Sequence, residues 1–522
     1  MTKRDKISYL LLGLIFFLAL FLRLYRLNFN APSLYSDEVG GSIWYWSRVR
    51  DQSISHALQI VRGAMASPIS VAWLLGFTPL ITRLPAAING SILVIATFLF
   101  ATSISKNRGS YSKIVVGLLA SLLTAILPWS FSISRLYGNV PLILILCSLH
   151  IALYLRSTNI QSKIISTIPI ILSTYYYPSM VIIMPLVALM ILRDIWAKLS
   201  QIKKRNLVPI LVGLPFILAV LLQLRFHVFS TNSRGLDLAI WRDPNVTADT
   251  NLYRGLARLS TPSIFSFGVD PEKLANKIVF NYPISVISSF TRNYLSFFSP
   301  DFLFLKGDSI LRHSTGMVGN FYMFLLPFML YGAFVFFRDQ TTRNKIIFAT
   351  WILASPLPAA ITKDGATYLL RVATLMPFLT YFCALGIVES FNLIKKNWRI
   401  PYGLLVTLIA LYSSYYYFYG YFHVYPALSA NSFEFGFKEL ADFQTKNPGK
   451  MFIVWDDKYP YTHFCFWQNL PLTTCQPDNT NTRVFVNKSR VDLSLPTVFF
   501  SLPNSLADLE LIINQYQPKF FV

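Results

Sequence analysis

The run ISYLLLGLIFFLALFLRLY at residues 7–25 decides the fold of this chain. It contains one charged residue, Arg23, and as a helix it would be about 28 Å long, close to the roughly 30 Å hydrocarbon core of a bilayer. About a dozen residues later, in a chain of which only 13% of residues are charged, Asp37 and Glu38 form an adjacent acidic pair. The run predicts a membrane-spanning helix, and the pair is a candidate for chemistry at the membrane surface.

Similar apolar runs recur along the chain, of which 54% is hydrophobic. A water-soluble core cannot bury so many runs of membrane-spanning length, so we predict a polytopic α-helical membrane protein with about 11 transmembrane helices. Their expected bounds, soft by several residues, are 7–25, 84–104, 114–131, 141–156, 164–178, 179–195, 208–224, 318–337, 346–362, 371–389 and 401–419.

The formal charge of +22 does not indicate nucleic acid, because Lys and Arg of polytopic proteins gather in short cytoplasmic loops. Alternate short loops here are basic, as this rule requires. The resulting topology puts the loops 28–83 and 225–317 on the outer face, together with the tail, and we expect function there. The first run has no small-residue cleavage site, so it is expected to remain as an anchor. Within the first loop, the stretch 60–71 is expected to form an interfacial helix.

The tail changes in composition, with apolar runs that shrink to strand length. We predict a small exoplasmic α/β domain at 421–522, after a membrane module at 1–420. The expected strands are 451–455, 483–486, 497–500 and 519–522, and the expected helix is 507–516. Cys465 and Cys475 both lie in this domain, where a disulfide would fit an oxidising compartment. Two cysteines are equally compatible with free thiols.

Soluble-enzyme signatures are missing from the sequence. It contains no GxxxxGK[ST], no HExxH, no paired CxxC, and no G-x-S-x-G in a strand-turn-helix setting, which argues against a nucleotide-driven pump. Internal repeats typical of secondary transporters are not evident.

Short motifs spread along the membrane region resemble those of the GT-C membrane glycosyltransferases, in particular the family that joins protein O-mannosyltransferases with the lipid A aminoarabinose transferases. Their order and topology carry the resemblance more than any one motif. The matching residues are Arg23-Leu24-Tyr25-Arg26-Leu27, Pro32, Asp37-Glu38, Arg83-Leu84-Pro85-Ala86-Ala87, Pro128-Trp129-Ser130, Ser134-Arg135, the stretch 294–304, Gly307-Asp308, Arg312-His313-Ser314, Thr362-Lys363-Asp364, Leu370-Arg371 and Pro377.

The resemblance implies an inverting transfer of a sugar from a polyprenyl-phosphate donor to a lipid, glycan or protein acceptor at the outer membrane face. Asp37 is the candidate base, because a hydroxyl or amide nucleophile must lose its proton as the new bond forms. Glu38 would orient the acceptor or hold Asp37; since neighbouring side chains point apart, only one of the two can face the reacting atom.

The leaving phosphate gains negative charge, which an arginine fork stabilises. Arg371 is the first candidate for this contact, followed by Arg312 and His313. Candidates for contacts with the acceptor or within the loops are Asp301, Asp308 and Asp364. We assign no cofactor and no metal-ligating residue from the sequence.

Departures from the family pattern narrow this expectation. The turn at Arg135 and Asn139 has no acid where relatives often have one, and Asp51-Gln52 replaces a second Asp-Glu pair. The loop 225–317 is too short for the β-trefoil domain of the eukaryotic members. We therefore expect a multi-pass protein of a bacterial or archaeal plasma membrane, with membrane lipids and the lipid-linked donor as partners and no nucleic acid.

Two other function classes are compatible with the sequence. A polyprenyl-linked glycan flippase or transporter would need polar groups inside the spans, and these are sparse. A non-catalytic membrane scaffold, whose tail binds partners, would differ little in sequence from a transferase.

Overall fold

The computed structural model describes most of the membrane region and part of the tail. The described residues are 3–41, 78–105, 109–177, 179–199, 221, 237–260, 277–446, 451–455, 460–469, 484–485 and 497–501. The expected interfacial helix 60–71, the expected helix 507–516 and the expected strand 519–522 lie outside them, as does nearly all of the predicted span 208–224.

The described chain is mostly helical, and its apolar helices indicate an integral membrane protein. Among the described residues, three helices are long and apolar enough to cross a membrane: Lys6–Leu24, Pro79–Ile104 and Leu369–Leu393. The α-helices are Lys3–Leu24, Pro79–Ile104, Ser110–Ile126, Pro128–Ile133, Val140–Arg156, Ile160–Ile165, Ile168–Tyr176, Ser179–Leu199, Pro244–Ser260, Tyr282–Ser296, Leu326–Asp339, Thr342–Ala354, Leu357–Ala360, Leu369–Val372, Met376–Leu393, Arg399–Tyr419, Tyr425–Ser429, Phe437–Lys446 and Pro460–Trp467.

Predicted spans and helices overlap throughout the described residues, but two spans are broken by local chemistry. The expected span 114–131 is interrupted at Leu127, before Pro128 starts a new helix. The expected span 164–178 is interrupted at Ser166 and Thr167, before Pro169 in the first turn of the next helix. Proline has no N–H to donate to the preceding turn, so it ends the α-helical ladder at both breaks. The total of eleven spans stays a prediction.

The chain forms two compact units, of which the larger comprises residues 1–16, 92–130 and 142–414. Its most buried helix is Met376–Leu393. This helix crosses Leu326–Asp339 where Gly386 and Gly332 face each other: a Cβ on Gly332 would lie 1.9 Å from the Phe382 carbonyl oxygen. Only glycine permits this backbone approach, as at many membrane helix crossings.

The smaller unit comprises residues 17–91, 131–141 and 415–522. Its sheet has three parallel strands in the order β2-β1-β3, where β1 is Met451–Trp455, β2 is Val484–Phe485 and β3 is Thr497–Ser501. Phe452 pairs with Val484 on one side and with Val498 on the other. Three of the four expected strands are thereby confirmed, whereas a separate domain beginning at residue 421 stays a prediction.

The four cysteines divide as their positions in the chain indicate. Cys147 and Cys383 are buried and free, whereas Cys465 is disulfide-bonded. Cys475 lies outside the described residues. Cys465 also packs with Leu34, Val39 and Phe466, so the tail of the smaller unit contacts the segment that carries the acidic pair.

Candidate functional site

The acidic pair lies in a short helical segment, residues 36–41 of the smaller unit. Successive residues of a helix are rotated by about 100°, so Asp37 and Glu38 point in different directions. Asp37 is exposed, whereas Glu38 is completely buried. The two adjacent carboxylates therefore occupy opposite environments, one open to an approaching substrate and one enclosed by protein.

Glu38 forms a bidentate ion pair with Arg83, which is also completely buried. Arg83 Nε donates to Oε1 at 2.9 Å and Nη2 donates to Oε2 at 2.7 Å. The same guanidinium donates to the carbonyls of Ala31 and Ser33, and the Tyr137 backbone N–H donates to Glu38 Oε1 at 3.0 Å. All three guanidinium nitrogens and both carboxylate oxygens of this pair therefore make hydrogen bonds. A buried charge needs such partners, because burial deprives it of its hydrogen bonds to water. Glu38 is thus bound by the protein and fixes the segment that carries Asp37.

Arg135 is a second buried guanidinium of the smaller unit. It donates five hydrogen bonds, to the carbonyls of Leu22, Arg23, Tyr25 and Asn30 and to the Tyr421 hydroxyl. The carbonyls at the C-terminus of a helix have no partner within the helix, and a cation satisfies them well. Arg135 therefore caps the Lys3–Leu24 helix.

Ser36, which precedes Asp37, is held from the tail. Its hydroxyl donates to Glu434 Oε2 at 2.7 Å, and His463 Nε2 donates to the same oxygen at 2.7 Å. Glu434 and His463 are both buried, and the Phe437 ring stacks on the imidazole at a centroid distance of 4.4 Å. Nearby, burial raises the pKa of Tyr425 well above its usual value, so this phenol remains neutral.

A second polar cluster lies in the larger unit around Asp308. Its Oδ2 accepts from His313 Nδ1 and from the Leu369 backbone N–H, both at 2.7 Å, and its Oδ1 accepts from the Ile310 N–H at 2.8 Å. The His313 Nδ1–H therefore points at this carboxylate, which fixes the orientation of the ring. The other ring nitrogen, Nε2, has no hydrogen-bond partner among the described residues.

Arg371 joins this cluster through Tyr368. The guanidinium carbon lies 4.2 Å from the centroid of the Tyr368 ring, whose other neighbour is the His313 ring at 5.0 Å. Arg371 Nη1 donates to Thr362 Oγ1 at 2.5 Å, and Thr362 pairs with Ala239 of the long loop. Within the part of the chain that the structure describes, Nε and Nη2 have no such partner and can bind an anion bidentately.

The structure thus brings together three of the predicted site residues, Arg371, His313 and Asp308. Arg312 is half-buried beside His313. Asp301 is exposed at the start of the π-helical segment Asp301–Leu305, and Asp364 is exposed in a turn of the same unit. Asp308 contacts the His313 ring and the backbone N–H groups of Ile310 and Leu369, and its expected role stays a prediction. No group of three or more His, Cys, Asp or Glu side chains in the described ranges is placed to hold a metal ion.

Sequence reasoning missed the partners that fix these residues. The sequence shows Arg83 as a single charged residue at the start of an apolar run. A single charge at that place in a membrane helix is a signal for a buried ion pair. Glu434 and His463 lie almost 400 residues or more from Ser36, so no local pattern joins them. Tyr368 resembles any aromatic residue near a membrane surface.

Comparison with known proteins finds likeness only at the level of fold. No protein-family profile and no curated protein sequence matches the chain. The structure of the archaeal oligosaccharyltransferase AglB from Archaeoglobus fulgidus, in complex with an inhibitory peptide and a dolichol-phosphate, matches with a TM-score of 0.50 and 13% identity, over 100% of this chain and 70% of that one. The apo form of the Archaeoglobus fulgidus oligosaccharyltransferase matches with a TM-score of 0.48 and 12% identity, over 98% and 69%.

AglB is a GT-C membrane glycosyltransferase, and the match to its complex supports the coarser part of the fold prediction. The narrower resemblance to protein mannosyltransferases and aminoarabinose transferases stays a prediction. The chain has a GT-C-like fold.

Proposed function

We propose that this protein transfers a sugar from a polyprenyl-phosphate donor to an acceptor at the outer face of the membrane, with Asp37 as the general base. The observation that carries the proposal is the contrast within the acidic pair. Asp37 is exposed, while its two neighbours, Ser36 and Glu38, are held by buried hydrogen bonds. An accessible carboxylate on a fixed backbone is what proton abstraction requires.

In the proposed reaction, one proton moves to Asp37 and one electron pair leaves with the phosphate. The acceptor's hydroxyl or amide attacks the anomeric carbon and gives its proton to the Asp37 carboxylate. The bond between the anomeric carbon and the phosphate oxygen breaks, and the polyprenyl phosphate leaves with the electron pair. Attack opposite the leaving group inverts the anomeric centre. Glu38 does not touch the reacting atoms in this scheme and acts as a positioning residue.

The cluster of the larger unit supports the second half of the proposal. Phosphate leaving groups gain negative charge in the transition state, so fixed cationic donors accelerate the reaction more than they tighten donor binding. Arg371 is held over Tyr368 with two nitrogens available, and His313 is oriented by Asp308. A further support is the fold match to an oligosaccharyltransferase whose structure contains a dolichol-phosphate.

The test compares two isosteric variants in membranes supplied with radiolabelled polyprenyl-phosphate sugars. Asp37→Asn should fold and bind the donor normally but transfer about 10²–10⁴-fold more slowly, the usual contribution of a positioned base. Asp442→Asn removes an exposed tail carboxylate that pairs only with Lys438 among its described neighbours, so it should transfer at the wild-type rate. Wild-type turnover in Asp37→Asn would remove Asp37 from the mechanism.

A further inference from the structure

Glu434 and His463 form a buried polar bridge in the smaller unit, between the tail and the segment that carries Asp37. One carboxylate oxygen, Glu434 Oε2, accepts from both Ser36 Oγ and His463 Nε2, each at 2.7 Å. His463 is completely buried and Glu434 is 2% exposed. Buried polar groups of this kind are costly unless they are paired, so the bridge forms only when tail and segment are in register.

The backbone at Glu434 indicates that its side chain is needed for more than filling space. Its φ of 51° is left-handed, a conformation in which glycine is usual and a side chain is strained. Gly436, two residues later, also has a positive φ. A glutamate that keeps this conformation must gain a compensating interaction, and the two hydrogen bonds to Oε2 supply it.

Apolar contacts between the tail and the segment flank the acidic pair on both sides. Leu34 and Val39 pack against Cys465 and Phe466, which lie on the same Pro460–Trp467 helix as His463. The other end of the segment is fixed by Glu38 and its pair with Arg83. Asp37 is therefore held by anchors on either side, one supplied by the tail and one by the start of the Pro79–Ile104 helix.

We infer that Glu434 and His463 are positioning residues, through which the tail sets the place of the Asp37 carboxylate by holding Ser36. The inference deepens the proposed function and rests on it for its kinetic readout. A base must sit within a fraction of an ångström of its working position, and a displacement of about 1 Å can cost about 10²-fold in rate.

The kinetic test uses Ser36→Ala and Glu434→Gln, small changes that keep the fold's volume. Each should lower kcat for transfer by about 10–100-fold with little change in KM for the lipid donor, because donor binding does not need the base. The double variant should lower kcat no further than either single variant does, since both substitutions break the same bridge. Ser36→Thr keeps the hydroxyl and should restore kcat to near the wild-type value.

Ser429→Ala is the matched control, because the Ser429 hydroxyl is buried in the same tail and donates to the Tyr425 carbonyl of its own helix. If Ser429→Ala lowered kcat as strongly as Ser36→Ala, the effect would be general loosening of the tail, and the inference would be overturned. Equal kcat in Ser36→Ala and wild type would overturn it as well.

Hydrogen–deuterium exchange of residues 34–41 gives a readout that does not need activity. Exchange should rise in Glu434→Gln and Ser36→Ala and stay at the wild-type level in Ser429→Ala. Unchanged exchange in all variants would show that the tail does not fix the segment and would overturn the inference. If the wild-type protein transferred no sugar, the proposed function would fail, and the exchange measurement alone would decide whether the tail holds the segment.

Discussion

The adjacent variants Glu38→Gln and Asp37→Asn should separate stability from catalysis. Both replace a carboxylate by an amide of the same shape. Glu38 is completely buried against Arg83, whereas Asp37 is exposed. We expect Glu38→Gln to destabilise the fold while slowing transfer less than Asp37→Asn does, and Asp37→Asn to slow transfer without destabilising the fold.

The size of the stability effect follows from the contacts of the pair. Glu38→Gln removes the negative charge and places an amide N–H₂ against guanidinium donors, so Arg83 is left as a buried charge without its counter-ion. Removing one partner of a buried pair costs about 3–5 kcal/mol, whereas an exposed substitution stays within about 0.5 kcal/mol. The difference between the two variants should therefore be several kcal/mol.

The assay is the folded fraction of detergent-solubilised protein as a function of temperature, with transfer rates measured on the folded fraction. The double variant Glu38→Gln/Arg83→Met should be more stable than the sum of the two single effects predicts, because neither charge is then left alone. Equal melting curves for Glu38→Gln and Asp37→Asn would refute the view that Glu38 stabilises the fold through its ion pair with Arg83. Stability losses that simply add in the double variant would refute it as well.

Three further predictions concern the other guanidinium and carboxylate contacts. Arg371→Lys keeps a charge but loses the planar fork, so it should leave a small residual transfer rate, and Arg371→Ala should lose a further factor of roughly ten; unchanged transfer in the Lys variant would refute phosphate binding. Asp308→Asn should release the His313 ring, which would appear as changed ring ¹⁵N chemical shifts in NMR spectra of histidine-labelled protein; unchanged shifts would contradict the pairing. Arg135→Lys reduces five donated hydrogen bonds to at most three, so it should cost about 2–3 kcal/mol in stability, and a wild-type melting curve would contradict the capping role.

Membrane helices were predictable from the sequence because a bilayer demands a long apolar run, which composition reveals directly. The breaks within two of the predicted spans were harder to place, since Pro128 and Pro169 each start a new helix there, whereas other membrane helices tolerate a proline within them. Three tail strands were also predictable, because alternation between short apolar runs and polar loops is a local signal. Their parallel order is a property of the tertiary fold.

Only the residue types of the site could be predicted from the sequence, not their burial or their partners. An exposed Asp and a buried Glu look identical in sequence, and what distinguishes Asp37 from Glu38 is an arginine 45 residues away. The prediction that only one of the pair could face a substrate needed no structure, because adjacent side chains diverge in any regular conformation. Which one faces outward is decided by Arg83 and by the Tyr137 N–H, both of which bind Glu38.

This division gives a physical reason for placing two carboxylates side by side. A lone Asp on a loop between a membrane helix and a long outer loop would be held only by its own backbone, and ordering a residue costs about 1–2 kcal/mol. Glu38 pairs with Arg83, which also donates to the Ala31 and Ser33 carbonyls, and so fixes the backbone one residue away from the proposed base. The buried acid thereby sets the position of the exposed one.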